Sequence, residues 1–554
     1  MATCVFLQGL LLLLLPTPTP APCYSFAHSE CKKHMTFVPG SWLAGEGVDV
    51  TNLQRSGAFP VDTARYQRPD GTCTLCRNSL QDNKLQLLPL ALAHWRAQPS
   101  VCQHRVLKAE VGSVESVAQD AAKQINNDWQ VGLDVNPNPA INAHVTIAGS
   151  HSEAADFAAE KMYQDQYSFS KDEVECRLYS CKLVHKPPLH PEFKRALRSL
   201  QPEFNLSTES EYFRLIANYG THFIQSMTLG GRILTLTALR TCQLALQGLT
   251  SREVNDCLSL EAAVSIGGKA ATSTALRDCE EKKKHHKIEY SFHETFQERY
   301  THTVGGHHNT TLDLLFGEDT GPEAFSRWAD SLRAAPGLVD YALEPLHVLL
   351  GAQDPHREAL RQAVSKYLLD KARWSQCTRP CPGGHHEARD PCQCVCHSLA
   401  LTTHGCCPRH KGLANLKVKD FRAKGLWGDW LSATDAYVKA FIGDREQRTA
   451  TMWESDHPKW HDTLEFKDAS LLTGGPLRVE VWDSDSGADD DLLGGCDTRP
   501  KSGLHEVKCK LHHGHLNFVY EATCLHHLSG DSCQDYVPQG LLGEPPGNRS
   551  GPVW

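Results

Sequence analysis

Beyond its first residues the chain has no apolar run long enough to cross a bilayer as a helix. The one candidate, Val5 to Leu15, falls short of the ~20 residues that a spanning helix needs. It is followed by Pro16, Pro18, Pro20 and Ala21. Residues 1–21 therefore read as a secretory signal peptide cleaved near Ala21, although the first four residues lack the usual positive charge. The mature chain, from residue 22, is expected to be soluble as made. Strong charge is also missing: a net charge of −9 over 554 residues, with no long basic stripe, gives no footprint for a nucleic-acid partner. Catalytic motifs are missing too. There is no Gly-x-Ser-x-Gly elbow, no His-Glu-x-x-His and no phosphate-binding Walker loop, so no enzymatic activity is expected.

Cysteine, by contrast, is abundant. There are 22, and Cys4 lies in the signal, leaving an odd number and hence at least one thiol free or intermolecular. Such a count in a secreted chain implies disulfides. Sequons at Asn205, Asn309 and Asn548 fit the same route. The 30 histidines would respond to an acidic compartment, but their scatter suits ordinary surface positions. Length alone implies several domains.

Residues 22–110 carry cysteines and turn residues, and predict extended, disulfide-stapled structure. From Val111 to Ile125 the apolar spacing is helical. Trp129 to Val135 and Ile141 to Ile147 then alternate apolar with polar, interrupted by Asn136-Pro137-Asn138-Pro139. Ala154 to Met162 is an amphipathic helix with Ser152 as its cap, and a charged, cysteine-bearing segment follows from Lys171 to Lys182. The theme returns later. Leu258, Leu260, Ala262, Val264 and Ile266 alternate with smaller or polar residues up to Gly267-Gly268. A charged stretch holding Lys282, Lys283, Lys284 and Lys287 comes next, and Ile288, Tyr290 and Phe292 resume an extended pattern up to Gly305-Gly306. Each copy is thus an alternating strand, a helical segment and a strand. One reading is a sheet solvated on one face. The other is that each helical segment extends into a hairpin with one apolar and one polar face, as a membrane β-barrel wall requires. Two hairpins cannot close a barrel, so that reading demands many copies in one ring.

Between the copies lies Tyr212 to Gly231. Its first part predicts a helix with Ser210 at the N-cap and Phe213, Ile216 and Ala217 on one face; Tyr219-Gly220 ends it and an extended run follows. The run Tyr212-x6-Tyr219-Gly220-Thr221-His222-Phe223 resembles the signature of the membrane attack complex/perforin superfamily of pore-forming proteins. The resemblance implies an α+β fold, a bent antiparallel sheet flanked by two helical clusters that become membrane hairpins. Trp129 to Ala148 and Asp256 to Asp278 then match the membrane-inserting strands, and Gly230, Gly231, Gly267, Gly268, Gly305 and Gly306 fall where strands bend. His222 has no catalytic or metal partner nearby in sequence and is expected to be a structural contact.

Helices close the domain: a stripe of Phe325, Trp328, Ala329 and Leu332, then a helix opened by Asp354-Pro355 and ending near Trp374. Cys377 to Cys407 forms a cysteine-rich unit. Zinc is an alternative there, given His385, His386 and His397, but secreted thiols are usually oxidised. Its tail, Cys394-x-Cys396-x9-Cys406, is similar to an epidermal-growth-factor-like module. That resemblance implies pairs Cys377–Cys392, Cys381–Cys394 and Cys396–Cys406, leaving Cys407 to reach another domain.

From Leu413 the pattern is all-β, and one loop concentrates Asp483, Asp485, Asp489, Asp490 and Asp491. Crowded carboxylates need a cation, and oxygen ligands in a flexible loop suit Ca2+. A second acidic loop holds Asp429 and Asp435. This unit resembles a C2 domain, whose calcium set would map onto Asp429, Asp435, Asp483, Asp485 and Asp491, with Asp489 and Asp490 assisting and Gly428 offering a carbonyl. Trp427, Trp430 and Trp453 flank the same end, suiting either a headgroup zone or a core. The expected divisions are 1–21 signal, 22–374 pore-forming domain, 375–410 epidermal-growth-factor-like module, 411–520 C2 sandwich and 521–554 a poorly ordered tail.

The resemblances together imply a calcium-dependent pore-forming cytolytic protein. It would dock on phospholipid through the C2 end, assemble with copies of itself and insert two hairpins per subunit. They further imply storage in acidic granules of cytotoxic lymphocytes, secretion, a target plasma membrane, and granzymes as functional partners. The alternative is a secreted complement-type or lipid-binding adhesion protein without a pore of its own.

Overall fold

The computed structural model describes residues 23–540 apart from 107–111, 137–143, 268–272, 308–312, 318–319, 376–380, 382–383, 387–393, 397–400, 428–432 and 486–489. The signal segment, Asn309, Asn548, Gly268, Cys377, Cys392, Gly428, Asp429, Trp430 and Asp489 lie outside the described residues.

One antiparallel sheet organises the larger part of the molecule. Its strands are β1 (Gly47–Asp49), β2 (Gln54–Arg55), β3 (Leu92–Val106), β4 (Tyr167–Leu183), β5 (His222–Arg240), β6 (Arg299–Val304) and β7 (Gly337–Pro345). The order runs β2-β1-β5-β4-β3, and β6 and β7 both pair with β5. β5 changes partners partway: residues up to Gly230 pair with β7, and Arg232 to Thr237 pair with β6. Gly230 and Gly231 sit at this change, opposite a register shift in β4 between Arg177 and Tyr179. A Cβ on Gly230 would lie 1.9 Å from the Cys176 carbonyl oxygen, and one on Gly231 2.5 Å from the Trp328 ring. Only glycine admits such approach.

Helices α1 (Val114–Ala122) and α2 (Glu153–Gln164) lie between β3 and β4. Ser113 and Ser152 cap them, accepting from the Ser116 and Ala155 amides. Their alanine-rich faces pack on Tyr167, Phe169, Leu236 and Ala238 of the sheet. Helix α3 (Glu209–Tyr219) precedes β5, and α4 (Thr241–Leu246), α5 (Ser251–Ser265), α6 (Ser273–His285) and α7 (Phe292–Thr295) lie between β5 and β6. Helices α8 (Pro322–Ser331) and α9 (His356–Lys371) close the domain.

Several sequence expectations differ here. Leu258 to Ile266 is not a strand: Leu258 to Ser265 belongs to α5, with Ile266 as its C-cap, and the helix opens with a capping box of Thr250 and Glu253. The same apolar residues satisfy a helical period, because Val254, Cys257, Leu258 and Ala262 share its buried side. Trp129 to Val135 is turn and irregular chain, and only His144–Thr146 of the second alternating run is strand. Ile288 and Tyr290 are not extended in a sheet, and Phe292 begins α7. Ser210 is inside α3; Thr208 stands at its cap position without a side-chain cap bond. The buried face of α3 is Tyr212, Leu215 and Ile216, while Ala217 is exposed. Gly267 ends α5 at φ +72° and is no strand bend, and Gly305-Gly306 follows the end of β6 at positive φ. Helix α9 stops at Lys371, and Arg373–Ser375 pairs with His144–Thr146.

The C-terminal unit is two four-stranded sheets. One runs β11-β8-β15-β14 and the other β10-β9-β12-β13, with β8 (Leu413–Lys424), β9 (Ala436–Ile442), β10 (Arg445–Arg448), β11 (Leu464–Ser470), β12 (Leu477–Asp483), β13 (Asp491–Thr498), β14 (Gly503–Lys510) and β15 (His515–Cys524). Inward residues Leu416, Val418, Val438, Val479, Val481 and Phe518 form its core. The tail is not disordered from residue 521. β15 runs to Cys524, a Cys524–Cys533 disulfide follows, and the Tyr536 hydroxyl donates to Asp165 at 2.6 Å.

Disulfides join Cys23–Cys76, Cys31–Cys73, Cys102–Cys176, Cys257–Cys279, Cys396–Cys406 and Cys496–Cys509. Cys381 is also disulfide-bonded, so neither it nor Cys396 offers a thiolate to zinc. Cys407 reaches the large domain, bonding Cys242 in α4. Among the described residues Cys181 is the free cysteine, and it is buried. Asn205 is exposed, and its side-chain oxygen accepts from the Ser207 amide and hydroxyl.

Candidate membrane-docking site and hairpin clusters

The acidic loops of the C-terminal unit meet at one end of its sandwich. Ala436 of β9 opposes Asp483 of β12, and Asp483 opposes Asp491 of β13, so strand pairing alone brings Asp435, Asp483 and Asp491 to one edge. Asp483 is buried and its Oδ1 accepts the Asp435 amide at 2.7 Å. Asp435 Oδ1 accepts the Glu454 amide at 2.6 Å, tying in the Trp453 loop. Asp490 acts differently. Its Oδ2 accepts from the Tyr437 hydroxyl at 2.6 Å and its Oδ1 from the Asp485 amide at 3.2 Å, and the tyrosine bond chiefly holds its carboxyl below the usual range. Asp490 is thus a brace for the loop.

Among the described residues no three acidic, histidine or cysteine side chains converge on one point. The donor chemistry nonetheless fits a hard cation: Asp435, Asp483, Asp485 and Asp491 supply only oxygen. Trp427 is 49% exposed, with the His513 ring edge-on at 5.0 Å, and Trp453 is 69% exposed. Both are therefore solvent-facing and not core.

The signature stretch is built around buried polar contacts. Tyr212 donates its hydroxyl to the Gln201 carbonyl, Tyr219 packs edge-on to Phe193, and Phe223 is buried. Gly220 has φ +78°, and a Cβ there would meet the Val48 backbone at 2.5 Å. His222 is fully buried. Its Nε2 lies 3.0 Å from the Trp129 carbonyl and its Nδ1 2.8 Å from the Thr221 hydroxyl. A carbonyl only accepts, so Nε2 carries the proton and Nδ1 accepts. Burial, helped by nearby His347 and opposed by the Trp129 bond, lowers the His222 pKa to about 4. The histidine is neutral and holds Trp129 in place against the sheet.

A contact cluster that sequence reasoning missed ties the first helical group to β4, β5 and the start of β6. Glu298, just before β6, accepts from Tyr167 of β4 at 2.9 Å and from Arg240 of β5 at 3.1 Å, and pairs with Lys161 of α2 at 2.7 Å. Burial raises the Tyr167 pKa to about 12, with Glu298 adding to it. Tyr300 of β6 donates to Glu153 of α2 at 2.9 Å. Deeper in the sheet Lys171 bridges Asp120 of α1 and Glu173, and Glu173 also pairs with Arg232. Asp165, next to this hub, is buried and accepts from Tyr536 and the Gln539 amide, with His527 3.4 Å away. Apart from the local pair Lys171–Glu173, these partners are 51 to 374 residues apart in sequence, and no local pattern announces them.

Comparison with known proteins adds to this geometry. Family models match the chain as a MAC/Perforin domain over residues 39–377, a Perforin-1-like EGF domain over 376–409 and a C2 domain over 414–513. The chain belongs to the membrane attack complex/perforin family. It is 63% identical to Perforin-1 of Homo sapiens and 59% identical to Perforin-1 of Mus musculus, each over 555 residues and all of both chains. It is 26% identical to complement component C6 of Bos taurus over 292 residues, covering 51% of this chain and 30% of that one. As a member of this family it is a pore-forming cytolytic protein with MACPF, EGF-like and C2 parts, the first two joined by the Cys242–Cys407 disulfide. The family is non-enzymatic, its C2 domains generally bind calcium and lipid, and Perforin-1 similarity implies assembly into oligomers, granule storage and secretion.

Proposed function

We propose that this MACPF protein docks on target membranes through calcium held at Asp429, Asp435, Asp483, Asp485 and Asp491, with Gly428, Asp489 and Asp490 in support. Trp427, Trp430 and Trp453 face the headgroups. Docked copies join in a ring, and each converts its two helical clusters into β-hairpins of a shared barrel. The working division is 22–374 for the pore, 375–410 as spacer and 411–520 for docking. The setting is release from acidic granules of cytotoxic lymphocytes, with granzymes passing into the target cell.

One observation carries the hairpin step. The clusters α1–α2 and α4–α7 each connect two strands already paired antiparallel, β3 with β4 and β5 with β6. Turning helix into strand lengthens existing hairpins and needs no new topology. Family pores inserting as closed barrels satisfy every backbone group. Calcium held there would supply positive charge that offsets the crowded carboxylates and favours anionic headgroups, and the aspartates would hold it.

Dye-loaded liposomes test this. Leakage should require calcium, and D429A/D435A should lose both docking and leakage. A disulfide pinning α2 to the sheet should permit docking but block leakage until reduced. Calcium-independent leakage would sink the docking step, and leakage from the oxidised pinned form would sink the hairpin step. Docking without any leakage favours the adhesion reading.

A further inference from the structure

The pairing of β5 with β6 has a fixed register. Arg299 opposes Thr237 and Val304 opposes Arg232, so opposed residue numbers always total 536. In the cluster joining these strands, Cys257 of α5 and Cys279 of α6 are disulfide-bonded, and their numbers give the same total, 536. We propose that this disulfide, here a staple between two helices, becomes a cross-strand bridge in the membrane-inserted second hairpin and fixes that hairpin's register. The inference rests on the two-hairpin reading above.

If β5 and β6 lengthen without a bulge, Cys257 and Cys279 come to face each other and no bond has to break. Opposed residues of antiparallel strands have Cα atoms about 4.5–5.5 Å apart, a span a disulfide bridges. The helical cluster already holds these two Cα atoms 5.7 Å apart. The chain uses the cross-strand arrangement elsewhere. Cys102 and Cys176 are opposed partners of β3 and β4, and Cys23 and Cys76 are opposed in the small sheet near the N-terminus.

The outgoing arm carries the alternation that the register needs. With opposed numbers totalling 536, Leu258, Leu260, Ala262, Val264 and Ile266 share one face and are opposed on the returning arm by Asp278, Leu276, Thr274, Thr272 and Ala270, so the outgoing arm supplies most of the apolar face and Asp278 lies at its foot beside the disulfide. Ser259, Glu261 and Ser265 share the other with Ser273 and Arg277. Residues 258–266 give about the 9 to 11 residues per strand that cross a bilayer, and the disulfide sits at the foot of that apolar band on the polar face. The centre of the register falls at residue 268, in the Gly267-Gly268 pair, where a tight turn is chemically easy. A slip of one residue would move Leu276 off the face of Leu258 to Ile266 and bring Arg277 onto it. The first cluster obeys the same rule. At its end of β3–β4, Val101 opposes Arg177 and Val106 opposes Asp172, a total of 278. That centre is residue 139, in Asn136-Pro137-Asn138-Pro139, and it sets Val131, Leu133 and Val135 on the face of Val145 and Ile147.

Cysteine pairs added to the full chain, with the native bond kept, test the register. On calcium-treated phosphatidylcholine vesicles, S259C/R277C should show a vesicle-dependent cross-link at least about ten-fold more abundant than S259C/A275C. Digests of purified pores should still yield 257 and 279 joined. Preference for S259C/A275C, or leaking pores in which both native thiols are free, overturns the proposal. A polarity-sensitive dye on V264C separates this proposal from its premise. Dye entering the bilayer with the wrong cross-link overturns the register alone. Leakage with the dye left in water overturns the hairpin reading itself.

Discussion

At the residue scale, His222 is the position where sequence and structure say most to each other. The signature run named it, but only the fold supplies its partner, the Trp129 carbonyl 93 residues away. Its pKa is lowered to about 4 from 6.5, so the unfolded chain takes up a proton over a pH range where the folded one does not. Stability is therefore full above pH 6.5 and falls as pH drops toward 4. By pH 5 the loss from this group is about 2 kcal/mol. Thermal melts at pH 7.5 and 5 should show it, and H222N should narrow the gap between the two midpoints while lowering the pH 7.5 midpoint. Calcium docking has its own residue test. D483N should cost more than D490N in the calcium concentration needed for liposome binding, because Asp483 joins two loops and Asp490 is already engaged by Tyr437. Equal shifts would contradict that division. The acidic residues were legible because like charges crowd in few residues. Which of them brace and which ligate depends on hydrogen bonds that a linear pattern does not encode.

At the element scale, the segment Leu258 to Ile266 explains why sequence reading went astray. Its alternation is real, yet Leu258 and Ala262 also lie on one helical face, and the Thr250 capping box favours the helix. The segment carries both periods, as the proposed conversion to a hairpin would require, and the structure holds the helical one. The helices are held by contacts across elements, with Glu298 in the middle. Burial opposes its ionisation, but Lys161, Tyr167 and Arg240 together hold its pKa below the usual range. E298Q should loosen α2 and the β6 entry at once. Because the site is partly solvent-exposed, a modest destabilisation of about 1 kcal/mol is expected. Leakage after docking should start sooner, read by stopped-flow dye release at matched bound protein. Slower release would argue that the hub aids insertion.

At the scale of the whole molecule, the order of parts was legible from cysteine spacing and the acidic loops, while their attachments were not. The odd Cys407 pointed outward, and the structure shows its destination, Cys242 in the second cluster's first helix. C242A/C407A should keep calcium docking yet lose leakage, if force or geometry passes from the docked end through this bond; full leakage would assign the bond to stability alone. The C-terminal strap was misread as disordered because its Pro/Gly-rich composition hides Tyr536 and His527, which settle on Asp165.

Cys181 carries a different lesson. Burial pushes its thiol pKa up to about 12, so in the folded sheet it is an inert, protonated group beside the Pro39 carbonyl. Once the sheet opens, that thiol meets water, ionises near an ordinary cysteine pKa and can attack any of the disulfides around it. Denaturation then becomes a one-way process, limited by thiol exchange and not by the folding equilibrium. C181A should recover from a heat pulse where the parent chain scrambles, and the supply of usable protein would depend on one sulfur that takes no part in its work.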